Sequence, residues 1–262
     1  MSAKSLTCVA LLSALMLSSP PVTWADNQPV TTLSQNASFA EVSSLAQQGN
    51  AEAQQQLGVM YYYGQQGVAQ DYKQSLYWFQ KAADQGLARA QTDLGILYAH
   101  GQGVPQDYKQ AMYWYQRAAE QGYDDAQVKM GTLYANGQGV AQDYRQAMYW
   151  YQKAAAQGNA DAQYGIGSLY QHAQGVALDH KQAFYWFQKS AAQGNALGEA
   201  AMGWMYDNGY GVAQDKTQAA YWYSKAAMQG NADAQTDLEL LYGTPDSGGG
   251  PTYVRPVYNH RR

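Results

Sequence analysis

The sequence has a single cysteine, Cys8, among 262 residues. That cysteine lies in a leader read below as cleaved, so the mature chain has no disulfide framework and no thiol nucleophile. Histidine is almost as scarce, with His100, His172, His180 and His260. No His-Glu-x-x-His, Gly-x-Ser-x-Gly or phosphate-loop pattern occurs, so the chain lacks the motifs of zinc peptidases, serine hydrolases and P-loop enzymes. Only 14% of residues are charged, the net charge is −4, and no Lys/Arg cluster interrupts the body of the chain. Without a basic stripe to neutralise phosphates, nucleic acid is not an expected partner. The one long apolar run, residues 6–17, is too short to span a bilayer. These absences predict a protein with no enzymatic activity, cofactor or metal site.

What the N-terminus does contain reads as an export signal. Lys4 precedes the apolar run, and Thr23-Trp24-Ala25 offers a small-x-small cleavage site before Asp26. Residues 1–25 are expected to be removed by cleavage near Ala25 on export, which makes the protein periplasmic or secreted, most simply in a bacterial periplasm. Residues 26–37 show no sustained apolar period and read as a linker.

Beyond the leader, the chain repeats itself. Trp78, Trp114, Trp150, Trp186 and Trp222 stand 36 residues apart, each inside a stretch that repeats Ala-Met-Tyr-Trp-Tyr-Gln-Lys-Ala-Ala with small changes. A fixed period of that length marks a stack of identical supersecondary units. The predicted full units are 51–87, 88–123, 124–159, 160–195 and 196–231. A half-repeat at 38–50 precedes them, a capping helix at 232–243 follows, and a flexible Gly/Pro-rich tail runs over 244–262.

Each unit reads as two helices. In the third, the spacing of Ala126, Met130, Leu133 and Tyr134 predicts helix A over residues 126–136, stopped by Gly137. Gly131 lies at the edge of that face, as do Gly58, Gly95, Gly167 and Gly203 in the other units, where a missing side chain lets a neighbouring helix approach. Asp143 followed by Gln146 predicts a capping box opening helix B, repeated at Asp71/Gln74, Asp107/Gln110, Asp179/Gln182 and Asp215/Gln218. That row of carboxylates is read as structural caps. On helix B, Ala147, Met148, Trp150, Tyr151, Ala154 and Ala155 share one apolar stripe, closed off by Gly158.

The run Ala-x-x-x-Leu-Gly-x-x-Tyr-x-x-Gly-x-Gly-Val-x-x-Asp-x-x-x-Ala-x-x-Trp-Tyr-x-x-Ala-Ala, seen over residues 90–119, resembles the Sel1-like repeat, a relative of the tetratricopeptide repeat. The resemblance implies an all-α fold: a right-handed α-solenoid of antiparallel helix pairs, with helix A on the concave side. It also implies an adaptor or regulator that binds a partner protein. Some family members are immunity partners of secreted lipases, which makes a periplasmic toxin a narrower alternative. Disulfide-rich members linked to β-lactams lack a counterpart here, since the cysteines are missing. Three departures are informative. The first connector has an extra residue (Gly64-Gln65-Gln66-Gly67), Ala173 stands where other units have Gly, and Glu239 fills the helix A glycine slot of the last unit. A charge in that slot is tolerable only if no further helix packs on it, so the array is expected to end near Tyr242.

Two surfaces are candidates for contact. On the outward positions of helix A the units disagree, and the candidate partner-binding residues are Tyr62, Tyr63, Ile96, His100, Lys129, Tyr164, His172, Trp204 and Asp207. Large rings at positions free of a packing role suit contact residues, since Tyr and Trp dominate binding hot spots. The second surface is a predicted ladder of outward tyrosines on helix B: Tyr77, Tyr113, Tyr149, Tyr185 and Tyr221. One reading has them stack on sugars, making peptidoglycan the partner, or join a protein interface. The other has each ring packed against a Lys or Arg stem one turn away. His100 and His172 share one slot two units apart, too far to bind a common metal, and His180 replaces the Tyr at 72, 108 and 144 as a tolerated ring.

Overall fold

A computed structural model of the chain describes residues 37–242. Among these, twelve α-helices follow one another: α1 (Phe39–Gln47), α2 (Ala51–Tyr63), α3 (Tyr72–Asp84), α4 (Ala88–His100), α5 (Tyr108–Glu120), α6 (Asp124–Asn136), α7 (Tyr144–Ala156), α8 (Ala160–Gln171), α9 (His180–Ala192), α10 (Ala196–Asn208), α11 (Lys216–Met228) and α12 (Ala232–Tyr242). Each packs on the next in sequence, so the fold is an all-α solenoid. Even-numbered helices are the A helices and odd-numbered ones the B helices. In the C-terminal half α8, α10 and α12 also touch in succession, which puts helix A on the more crowded inner curve there. The expected leader, the tail from 243 onward and His260 lie outside the described residues.

The packing inside a unit follows from one missing methyl. A Cβ on Gly131 would fall 2.6 Å from the Tyr151 ring, and one on Gly203 would fall 2.5 Å from Tyr223. The aromatic residue after each Trp therefore lies flat against the helix A backbone, and a side chain there would push the two helices apart. Tyr151 is enclosed from both sides, since Gly165 of the next unit lies 2.9 Å from the same ring when given a Cβ. All six stripe residues of α7 are buried. Glu239, in the last glycine slot, is exposed on α12.

Three local expectations need correction. Helix A of the third unit begins at Asp124, two residues earlier than the apolar spacing suggested, because acids in the first turn suit the positive helix N-terminus. The residue Ala37, expected at the end of a linker, is buried with Val42 and Leu57, and its carbonyl accepts from Gln66 Nε2 at 3.1 Å. The capping boxes form by half. Asp143 Oδ1 accepts from the Arg145 and Gln146 amides at 2.9 and 3.1 Å. The amide that the Gln side chain would have served instead donates to the Tyr134 carbonyl at 2.9 Å. The same substitution recurs at Asp71, Asp107, Asp179 and Asp215, each of which bonds a Tyr carbonyl of helix A. The complete box is at Ser38 and Glu41, opening α1. Ala173 has φ of +55°, a left-handed conformation that costs a residue with a Cβ roughly 1 kcal/mol.

Candidate functional site

The inner face of the C-terminal half carries a cleft lined by Tyr164, Gln171, His172, Leu197, Ala200, Ala201, Trp204 and Asn231. Three of the residues singled out from sequence, Tyr164, His172 and Trp204, thus come together there. They do so because the superhelix stacks α8 beside α10, a neighbourhood the linear order leaves open. Tyr164 lies over Phe187 with ring centroids 5.6 Å apart, and burial pushes its phenol up to about 12. Trp204 lies 4.8 Å from Tyr210. His172 is exposed, its Nδ1 2.9 Å from the Ser168 carbonyl. Leu197 leaves 42% of its surface in water at the cleft edge.

The other candidates are spread along the array. Tyr62 donates its hydroxyl to Gln102 Oε1 at 3.0 Å and meets the Tyr63 and Tyr72 rings edge-on. Tyr63 and Lys129 are exposed. His100 is exposed too, with Nδ1 2.9 Å from the Ile96 carbonyl. Asp207 is paired with Lys216 of α11. The expectation that these positions are free of packing does not hold for Tyr62, Ile96, Tyr164 and Trp204. All four are half-buried against the hydrophobic clusters of their own or adjoining units. Helix A bears its neighbours on a wider arc than one apolar stripe suggests, because each A helix touches the units on both sides. No group of three or more metal-ligating side chains occurs among the described residues.

The helix B tyrosines point into solvent, between 45% and 53% exposed. Each is held from two directions. The neighbouring Trp meets it edge-on, as Tyr149 meets Trp150 at 5.2 Å and 76°. A cation one turn later caps the ring: Lys81 over Tyr77, Arg117 over Tyr113, Lys153 over Tyr149, Lys189 over Tyr185 and Lys225 over Tyr221. The closest is Lys153, 4.7 Å from the Tyr149 centroid. Such contacts are worth about 0.5–1 kcal/mol at exposed sites. His180 stacks on Tyr210 of the following connector at 4.6 Å and 28°. In the preceding unit the matching contact is a hydrogen bond, Gln174 Nε2 to Tyr144 Oη at 3.1 Å.

A buried polar spine escaped the sequence reading. Gln54, Gln91, Gln127 and Gln163 are buried at the same slot of successive A helices. Each accepts from the Gln that ends the following helix B: Gln85, Gln121, Gln157 and Gln193 donate at 2.7, 2.8, 2.9 and 2.8 Å. Gln127 Nε2 donates in turn to the Ala119 carbonyl of the preceding unit at 3.2 Å. Glutamine suits the slot because one amide serves as donor and acceptor together. The signal that could have revealed the spine is a polar residue invariant across units at an otherwise apolar position. In the fifth unit Glu199 takes the slot. It accepts from Gln229 Nε2 at 2.7 Å, and Lys225 Nζ lies 2.7 Å from its other oxygen.

A second acid is unusual. Asp93 on α4 accepts from Gln55 Nε2 of the preceding unit at 2.6 Å. Burial raises its carboxyl to about 6, outweighing the opposing effects of that hydrogen bond and of Arg89.

Comparison with known proteins agrees with this architecture. The Sel1 repeat matches residues 51–87, 88–123, 124–159, 160–195 and 196–231. A solved Sel1 repeat protein from Oxalobacter formigenes is 33% identical and superposes with a TM-score of 0.73, covering 78% of this chain and 81% of that one. An immunity protein from Pseudomonas aeruginosa is 22% identical with a TM-score of 0.52, over 76% of this chain and 75% of that one, a likeness of fold alone. A curated relative, the ERAD-associated E3 ubiquitin-protein ligase component HRD3A of Arabidopsis thaliana, is 43% identical over 58 residues. Those residues are 22% of this chain, which spans 9% of that much longer relative. With five matched units covering most of its length and the helix pairs packed as the repeat requires, the chain belongs to the Sel1 repeat family.

Proposed function

We propose that this protein is a non-enzymatic scaffold, exported to the periplasm, that holds a segment of a partner protein in the cleft between α8, α10 and the start of α12. The observation that carries this reading is the cleft itself. Tyr164 and Trp204 form half-buried aromatic walls, and Leu197, Ala200 and Ala201 supply apolar contact area between them. Aromatic groups already fixed by packing lose little freedom on binding, which is what makes such residues effective anchors. No helix of the described residues is long and apolar enough to cross a membrane.

Paired baits test the proposal. The mature chain and its Leu197→Glu variant are used to capture proteins from periplasmic extract, beside a Tyr113→Ala, Tyr149→Ala, Tyr185→Ala triple variant. A protein retained by the natural chain and the triple variant, but lost with Leu197→Glu, is the expected outcome. Loss with the triple variant alone would move the binding surface to helix B and overturn the proposal.

Two narrower readings have their own support. The fold likeness to an immunity protein favours neutralisation of a secreted toxin such as a lipase. A captured partner with lipase activity that the chain inhibits would establish it. The exposed tyrosines favour a peptidoglycan-associated role in envelope maintenance. Sedimentation with isolated murein, abolished in the triple tyrosine variant, would establish that one.

A further inference from the structure

The charge on the A helices of the last units is one-sided. Helices α8, α10 and α12 contain Asp161, Glu199, Asp207, Asp233, Asp237 and Glu239, and no Lys or Arg. Two of these acids are neutralised from α11, Asp207 by Lys216 and Glu199 by Lys225. Asp161 and Asp233 stay exposed. Asp161 accepts from the neutral amide of Asn195 at 2.6 Å, and the charge of Asp233 reaches the Tyr164 phenol. The cleft, which neither acid lines, has apolar and aromatic walls with Gln171, His172 and Asn231 among them. Its chemistry calls for an extended occupant with aromatic or branched side chains and basic groups beside them.

The chain carries such a segment. Residues 251–262 read Pro-Thr-Tyr-Val-Arg-Pro-Val-Tyr-Asn-His-Arg-Arg, and the twenty residues after Tyr242 hold Arg255, Arg261 and Arg262 against one acid, Asp246. We propose that residues 251–258 of the same chain dock in the cleft between α8, α10 and α12, as an intramolecular occupant that a partner segment has to displace. Reach permits it. Helix α12 starts at Ala232, next to the cleft residue Asn231, and is 11 residues long, so its end lies about 16 Å away at 1.5 Å per residue. The Gly-rich stretch 243–250 spans up to about 26 Å when extended. Composition permits it too, because Pro251 and Pro256 favour extended backbone and suit a groove more than a further helix. So short a connection to α12 presents the tail at roughly millimolar effective concentration, enough to keep a weak ligand seated.

This inference rests on the cleft being a peptide-binding groove, and its test separates the two. In the full chain, Tyr253 is replaced by the photoreactive residue benzoylphenylalanine, and cross-linked peptides are mapped after irradiation. The expected product is intramolecular and joins residue 253 to α8 or to residues 197–204 of α10. Cross-links at the exposed end of α11 and α12, on the B helices, between two chains, or nowhere would overturn the inference. A second measurement adds a synthetic 251–262 peptide to the full chain carrying Tyr253→Ser, Val254→Ser and Tyr258→Ser. That variant is expected to bind the peptide at least about tenfold more tightly than the natural chain, whose own tail competes. Added salt and Asp161→Lys with Asp233→Lys should both weaken binding. Equal affinity for the two chains would overturn the inference. If a partner protein is lost with Leu197→Glu while residue 253 cross-links elsewhere, the groove stands and the tail assignment falls.

Discussion

Lys225→Met probes the one place where the glutamine spine becomes ionic. The Glu199 side chain is 1% exposed, and its two oxygens face one neutral donor, Gln229 Nε2 at 2.7 Å, and one cation, Lys225 Nζ at 2.7 Å. Removing the cation leaves a carboxylate in a buried slot with a single amide to stabilise it. Breaking a buried ion pair from one side costs about 3–5 kcal/mol. The Lys225 side chain is itself 38% exposed, so water partly replaces it and the expected cost falls to about 2–3 kcal/mol. Glu199→Gln supplies the residue that the other units use, and the double variant Glu199→Gln, Lys225→Met should lie within about 1 kcal/mol of the natural protein. Urea unfolding followed by far-UV circular dichroism gives the stabilities. Amide exchange should place the loss in α10, α11 and α12, since repeat arrays fray from their ends. If the double variant loses as much as Lys225→Met alone, the charge of Glu199 is not what Lys225 offsets and the reasoning fails.

Three further outcomes follow from named contacts. Gly131→Ala drives a Cβ to 2.6 Å from the Tyr151 ring; overpacking should exceed the helical gain of alanine and cost about 1–2 kcal/mol in urea titrations. Ala173→Gly relieves the φ of +55° and should raise stability by up to about 1 kcal/mol, or about 2–4 °C in melting. Asp93 titrates near 6 in the folded chain, above an unfolded carboxyl near 4. The folded state therefore holds the extra proton between those values, and stability falls as pH rises through that window. Asp93→Asn should gain about 1–2 kcal/mol at pH 7.5, after discounting for partial exposure, and nothing at pH 4, measured by unfolding at both.

Part of this protein was legible in its residues because repetition turns local pattern into architecture. The 36-residue recurrence of Trp, the Gly slot of helix A and the Asp caps specify helix pairs through contacts a few residues apart, and a solenoid needs little else. The outward tyrosines were legible for the same reason, since a helical face follows from spacing alone. The candidate cleft was half legible: Tyr164, His172 and Trp204 stood out as departures, but their meeting depends on the superhelix bringing α8 beside α10. Whether Trp204 packs or projects is likewise settled by both adjoining units. The glutamine spine needed the tertiary structure most. The side-chain oxygen of each buried glutamine is met by a partner 30 or 31 residues away, and no local pattern shows that Gln157 closes on Gln127 or that Lys225 reaches Glu199. Sequence alone determined the repeat, because its signals are local and periodic. The tertiary structure decided which polar residues are interior and where rings converge, because those depend on how one unit is laid on the next.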